Sequence, residues 1–429
     1  MQTSTIYDAL GFVVAFFVTI TLFKNYVFLL ISPFYRVNEE IRYIRAFNKR
    51  QSKGDGKRVD AFLPKVSVIV PAWNEEVGII KTIESIVFNG YDNFEIIVVN
   101  DGSTDNSDQM IKDFFHEFIQ QHAHQEHRLI YVYQKNSGKG SALNTGIVKS
   151  TVEIILTVDA DSALEEGAIA KLVRYYMDDD IMAVVGNVKI VNTTTLIGLA
   201  QKLEYYFGFY NKRGHAILGA EYIFGGACAS FRRTIFDTLG LFDEVNKTED
   251  IEMSMRTRFH GFQCTYAEDV VCYTEGAADL SGLINQRVRW KKGRFDTFRK
   301  YKTMFFSTEE SHNFFLSFFV LPFSLLTELQ LIFEPAAITI LVVYSIITSE
   351  FLSLGVGVLF ILLVYIFTAL FSNERPRPLL ILSFPFTWTL FYFLDWIEFI
   401  ALWKSIKMIR QGREVEWQQW KRQGISNHL

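Results

Sequence analysis

Asp159 and Asp161 stand two residues apart, directly after the apolar run Glu153–Val158. Alternate residues of an extended segment share a face, so both carboxylates can reach one cation. A solvated turn can also hold an Asp-x-Asp pair, but the position just past a buried strand favours the ion. Two further runs end in the same way. Val66–Val70 runs into Pro71-Ala72-Trp73-Asn74-Glu75, and Glu95–Val99 into Asn100-Asp101-Gly102-Ser103. Short β-branched runs of this kind read as buried parallel strands, and ligands of open α/β sheets sit outside the carboxyl ends of the strands. Asp101, Asp159 and Asp161 are therefore expected to converge. Three carboxylates repel one another unless a cation joins them, and a divalent metal carrying a phosphorylated substrate resolves this.

Two later segments could complete the chemistry. Thr248-Glu249-Asp250 precedes the helical pattern Ile251–His260. Asp250 reads either as a first-turn acid favoured by the helix dipole or as a general base. Gln286-Arg287-Val288-Arg289-Trp290 is followed by Lys291, Lys292 and Arg294. Helical spacing puts Gln286, Arg289 and Trp290 on one face. Arginine can clamp phosphate with two parallel bonds, and tryptophan offers a flat apolar surface to a sugar ring. The same segment could instead dock a basic helix on anionic headgroups, with Trp290 as an interfacial anchor. Lys139-Gly140-Ser141 opens a helix and suits an anion, without P-loop spacing.

The elements that must position these residues alternate strand and helix. Helices are expected at Glu76–Phe88, Asp105–Gln121, Gly140–Lys149 and Glu166–Met177, with strands between them and a further strand at Ala183–Val191. This is an α/β layered pattern. An amphipathic helix near Leu196–Lys212 follows. Net charge is −4, so no general polycation is available for nucleic acid. The three cysteines fit reduced thiols better than a disulfide framework.

Hydrophobic residues make up 49% of the 429, and the excess lies at Tyr7–Ile31 and across Phe314–Trp403. The first stretch reads as a spanning helix rather than a signal peptide. Arg36, Arg42, Arg45, Lys49, Arg50, Lys53, Lys57 and Arg58 follow it, which by the positive-inside rule makes the central region cytoplasmic. Leu352–Phe371 and Leu379–Trp403 are each long enough to span. Two basic flanks require an even number of crossings, so Asn313–Ile347 is expected to cross twice and the loop Glu374–Arg377 to lie outside the cell. Glu328, Glu334, Asp395 and Glu398 interrupt the apolar block, either lining a path or sitting at the interface.

Taken in order, Pro-x-x-Asn-Glu, Asn-Asp-Gly-Ser, Asp-x-Asp, Thr-Glu-Asp and Gln-x-x-Arg-Trp resemble the membrane-embedded family 2 glycosyltransferases, which include cellulose, chitin, hyaluronan and poly-N-acetylglucosamine synthases. The resemblance covers roughly residues 64–294 and the flanking segments. It implies an α/β glycosyltransferase A-type domain that binds a nucleotide sugar on a mostly parallel sheet, flanked by transmembrane helices. It also implies a cell-membrane, multi-pass protein whose domain faces the cytoplasm. The implied division is a membrane helix at 1–35, a basic linker at 36–60, the catalytic domain at 61–300, interfacial and membrane helices at 301–403, and a tail at 404–429.

By resemblance, Pro71, Asn74, Glu75 and Asp101 line the nucleoside pocket with Lys139 nearby. Asp159 and Asp161 hold the diphosphate through Mg²⁺ or Mn²⁺, and Asp250 takes the acceptor proton. Gln286, Arg289 and Trp290 contact diphosphate and acceptor, and Gly225–Ala227 with Arg232 and Arg233 lines the acceptor site. The implied partners are a UDP-sugar, a growing glycan, the bilayer and accessory membrane subunits. The implied reaction is inverting, metal-dependent and processive; transfer of a single sugar to a lipid or glycan, and a non-catalytic polysaccharide-synthase subunit, are the alternatives.

Overall fold

In the computed structural model, residues 26–52, 62–122, 128–372, 378–414 and 424–425 are described. Most of the expected first membrane helix, the linker residues 53–58 and the loop Glu374–Arg377 lie outside that set.

The runs that carry the motifs form β1 (Val66–Ala72), β2 (Phe94–Asn100) and β4 (Ile154–Val158). With β3 (Leu129–Tyr133) they make the parallel half of an eight-stranded sheet. These strands are apolar at nearly every position because helices cover both faces. Val66, Val68 and Val70 join the core on one face, while Ile69 joins the core on the other. Isoleucines 79, 83 and 86 of α2 (Ile79–Val87) are fully buried, a spacing that gives one apolar helix stripe. Helix α3 (Ser107–Gln121) lies on that same face, and α4 (Lys139–Lys149) covers the other.

The second half of the sheet is mixed. After β5 (Ser162–Leu164), α5 (Ala168–Tyr175), β6 (Ile181–Ile190) and α6 (Leu196–Ile217), strand β7 (Cys228–Arg232) inserts antiparallel between β4 and β6. Helices α7 (Arg233–Leu239) and α8 (Glu249–Phe259) and strand β8 (Gln263–Thr274) follow; β8 pairs parallel with β6 and antiparallel with β5.

Residues 36–52, expected as linker, belong to α1 (Tyr35–Ser52). Its basic side chains are taken up by the domain. Arg50 pairs with Asp179 at 2.5 Å, Lys49 with Asp180 at 3.1 Å, and Arg42 donates to Thr265 at 2.8 Å. Arg42, Lys49 and Arg50 thus help dock α1 on the domain.

Helix α9 (Leu280–Lys300) carries the Gln-x-x-Arg-Trp segment and is followed by the apolar block. That block holds α10 (Leu321–Gln330), α11 (Glu334–Thr348), α12 (Leu352–Phe371), α13 (Pro378–Ser383) and α14 (Thr387–Arg410). Among the described residues, Leu354–Phe371 and Leu380–Arg410 are long and apolar enough to cross a membrane. Leu316–Gln330 and Glu334–Thr348 form a pair bent by 53°. A span needs about 20 residues, and each arm is shorter, so the expected two crossings here reduce to one broken span at most. The carbonyl of Phe371 accepts from Arg213 of α6 at 2.8 Å, and Arg213 pairs with Glu268 of β8. The end of α12 therefore lies against the α/β domain.

Candidate active site

The carboxyl ends of β1, β2 and β4 open into a cleft of about 560 Å³, roofed by residues 225–227, the start of α8 and one face of α9. Pro71, Glu75, Asp101, Lys139, Asp159, Asp161, Asp250, Gln286, Arg289 and Trp290 all line it. Asn74 does not. It sits at φ 55°, and its side-chain oxygen accepts from the Thr104 amide at 2.7 Å, tying the end of β1 to the loop after β2. The expectation that Asn74 faces a nucleoside is corrected to this bracing role.

The acids do not gather around one point. Asp101 is consumed by the loop ahead of α4, accepting from Gln134 at 2.7 Å and from the amides of Ser137 and Gly138 at 2.9 and 2.8 Å. Among the described residues no three Asp, Glu, His or Cys side chains form a ready metal cage, so the three-carboxylate convergence is corrected to the pair Asp159 and Asp161 with Asp101 apart. Part of the charge is met by protein. The ammonium of Lys139 lies 2.5 Å from Asp159 and 3.7 Å from Glu249. Burial works against that ammonium, but Asp159, Glu249 and Asp250 outweigh it and hold the Lys139 pKa above the ordinary lysine value. Glu249 is buried, and desolvation pushes its carboxyl up to about 7; Lys139 pulls the other way and Asp250 adds to the rise.

Asp250 occupies the first turn of α8, and its Oδ2 accepts from the Gly226 amide at 3.0 Å. Gly226 leaves this point open. A Cβ there would lie 2.8 Å from Lys139 Nζ, 3.4 Å from Asp250 and 3.7 Å from Asp159, so the missing side chain leaves room in the middle of the charged groups. A second close approach brings α9 into place: a Cβ on Gly293 would lie 1.9 Å from Thr248 Oγ1. The two helices meet there, which sets Arg289 near Lys247, whose carbonyl lies 3.4 Å from its Nη1.

Arg232 and Arg233, expected with Gly225–Ala227 at the acceptor site, point elsewhere. Arg232 bonds the carbonyls of Ile181 and Tyr176 at 2.9 and 2.7 Å and pairs with Glu153; Arg233 bonds the Ser150 carbonyl. Both brace the sheet. The basic residues after Trp290 are also engaged. Lys291 pairs with Glu328 and Glu398 at 2.7 Å each, Arg294 with Glu328 at 2.9 Å, and Lys292 with Asp296 and Glu414 at 2.8 and 2.9 Å. Acids of the protein, rather than anionic headgroups, meet these charges. Sequence reasoning picked out Asp250 and passed over its neighbour Glu249, whose approach to Lys139 only the fold creates. Glu204 gave no signal and Glu398 stood out only as an acid within the apolar block, because their common partner Arg287 lies 83 and 111 positions away in the chain.

An α/β domain with acids and a lysine at the carboxyl edge of its parallel strands is the architecture of a glycosyltransferase A-type fold. The backbone is similar to that of a mannosyltransferase from Pyrobaculum calidifontis in complex with GDP-Man and Mn²⁺, with TM-score 0.58 and 21% identity over 89% of this chain and 99% of that one. The chain belongs to glycosyl transferase family group 2, whose pattern matches residues 154–402; the glycosyl transferase family 2 pattern matches residues 67–240. It is 29% identical over 287 residues to the poly-beta-1,6-N-acetyl-D-glucosamine synthase of Staphylococcus aureus strain COL, covering 66% of this chain. The enzyme of the same name from Staphylococcus epidermidis is 30% identical over 237 residues, covering 53% of this chain and 54% of the relative. The match spans 65% of the length of the Staphylococcus aureus relative.

Proposed function

We propose that this chain transfers a sugar, N-acetylglucosamine being the first candidate from the names of its relatives, from a UDP-sugar to the end of a growing β-linked glycan, with inversion. The observation that carries the reading is the grouping of Asp250, Lys139 and Asp159 around the bare position of Gly226. Asp250 takes the proton of the acceptor hydroxyl as its oxygen bonds to the anomeric carbon. The bond from that carbon to the diphosphate breaks, and UDP leaves. A diphosphate needs no acid to depart, so one base suffices, unlike glycoside hydrolysis.

Charge must be balanced on the leaving side. Arg289 contributes a fixed cation there. Asp159 and Asp161 present hard oxygen donors of the kind Mg²⁺ and Mn²⁺ take, and Lys139 neutralises only part of the acid in the cleft, so the donor set fits a divalent ion. When bound, that ion would neutralise diphosphate oxygens. Lys139 holds Asp159 in place, and Gln286 and Trp290 face the acceptor, the indole ring stacking on sugar C–H groups.

The membrane reading follows from the same geometry. The catalytic unit comprises α1 and residues 61–300 on the cytoplasmic side of the cell membrane. The length and apolar character of Leu354–Phe371, Leu380–Arg410 and the bent pair support reading them as the crossing elements, along which a polar polymer is extruded. Accessory subunits and lipid would pack on their outer faces. The test is turnover by the full chain in lipid with a panel of radiolabelled UDP-sugars, with and without Mn²⁺. A ladder of long products from one sugar supports the reading, a single added sugar demotes processivity, and no transfer from any donor overturns it.

A further inference from the structure

Arg287, the second residue of the Gln-x-x-Arg-Trp segment, also borders the cleft, as does Glu204, and its guanidinium is closely surrounded by protein groups. Its two terminal nitrogens donate to both oxygens of Glu204 of α6, at 2.9 and 2.5 Å. Its Nε lies 3.2 Å from Glu398 of α14. The guanidinium then lies over the Trp290 indole, 4.5 Å from the ring centre. The side chain is only 5% exposed, and the acids around it hold its pKa above the ordinary arginine value against the effect of burial. The two parallel bonds to Glu204 fix the plane of the fork, the Glu398 carboxylate adds charge beside Nε without a hydrogen bond, and an indole stacked on that plane loses freedom to turn.

The same acids reach one helical turn further. Glu398 bridges Arg287 and Lys291, and Glu328 of α10 bridges Lys291 and Arg294. Three cations on one helix face meet three acids from three other helices, two of which lie in the apolar block.

We infer that Glu204 and Glu398 are positioning residues for the acceptor side, acting through Arg287 to set the Trp290 ring, so that the seating of α14 against α9 governs how the acceptor is held. The inference rests on the reading of Trp290 as the acceptor platform. Asp159 pairs with Lys139 and Arg289 approaches the Lys247 carbonyl, so donor binding is read out separately from acceptor binding.

The test uses the full chain in lipid nanodiscs with UDP-N-acetylglucosamine and a β-1,6-linked N-acetylglucosamine oligomer. Misplacing a binding surface by about 1 Å costs up to about a hundredfold. Glu398→Gln is therefore expected to raise the KM for the oligomer by about ten- to a hundredfold and to shorten the products, with the donor KM held within about twofold. Glu398→Asp should recover part of the loss. Arg287→Lys, which keeps the charge but removes the fork and the stacked plane, should repeat the selective effect and serves where Glu398→Gln does not fold. Equal rises in both KM values, or no change in either, overturn the inference while Trp290→Ala still raises the oligomer KM. An unchanged oligomer KM in Trp290→Ala overturns the acceptor reading itself, and the inference with it.

Discussion

Charge is handled in opposite ways in two clusters that border the same cleft. In the cleft, Lys139 faces Asp159 and Glu249, with Asp250 beside them, so acid exceeds base and one carboxyl is pushed up to about 7. Along α9, Arg287, Lys291 and Arg294 meet Glu204, Glu328 and Glu398 in a matched set. A buried charge left uncompensated is costly, so a matched network holds its geometry by itself. An acid-rich cleft is completed only when cationic or phosphorylated ligands enter. One cluster is arranged to exchange partners, and the other to keep them.

The sharpest way to break the comparison is to remove the proton acceptor. Asp250→Asn should cut turnover by about 10²- to 10⁴-fold while leaving UDP binding by calorimetry intact; loss of binding as well would make Asp250 structural. Next, Asp161→Ala should abolish the part of UDP affinity that depends on Mn²⁺. An affinity that EDTA leaves unchanged in the unaltered chain would end the divalent-ion reading. Gly226→Ala forces a methyl group against Lys139 and should lower kcat/KM by about tenfold, with the melting temperature little moved.

The smallest effect concerns Glu249. Its carboxyl is raised in the folded chain to about 7, against about 4.3 in an unfolded chain. A raised carboxyl favours the protonated folded state, so the stability it provides is present below the unfolded value and is lost as pH rises through about 7. Each tenfold difference in proton affinity is worth about 1.4 kcal/mol. Glu249→Gln should therefore gain stability relative to the unaltered chain between pH 5 and pH 8, measured by denaturant unfolding in detergent. A difference that does not vary with pH would show that Glu249 is already ionised at the lower pH.

Much of the donor side was legible because it is local. An apolar run followed by Asp-x-Asp states both the strand and what stands at its end, and the pleat does the rest; β4 spans Ile154–Val158 as expected. The same holds for the first turn of α8 and the shared face of Gln286, Arg289 and Trp290. Asn74 misled because a polar residue at a strand end can face a ligand or brace the next loop, and only the position of Thr104 decides. Arg232 misled because two adjacent arginines say nothing of the buried carbonyls they satisfy. The basic run after the first apolar stretch carried a topological signal, yet Lys49 and Arg50 also have acids on α5's flank as partners.

By itself, the sequence determined the order of strands and helices, the apolar segments and the residue types at each strand end, since these depend on periodicities of two and 3.6 residues read within one segment. The tertiary structure alone decided which acids meet a lysine, that Gly226 leaves space among them, and that Arg287 pairs with Glu204 and lies over Trp290. Those outcomes depend on side chains separated by tens to more than a hundred positions, and no local pattern encodes a distance between elements that only packing brings together.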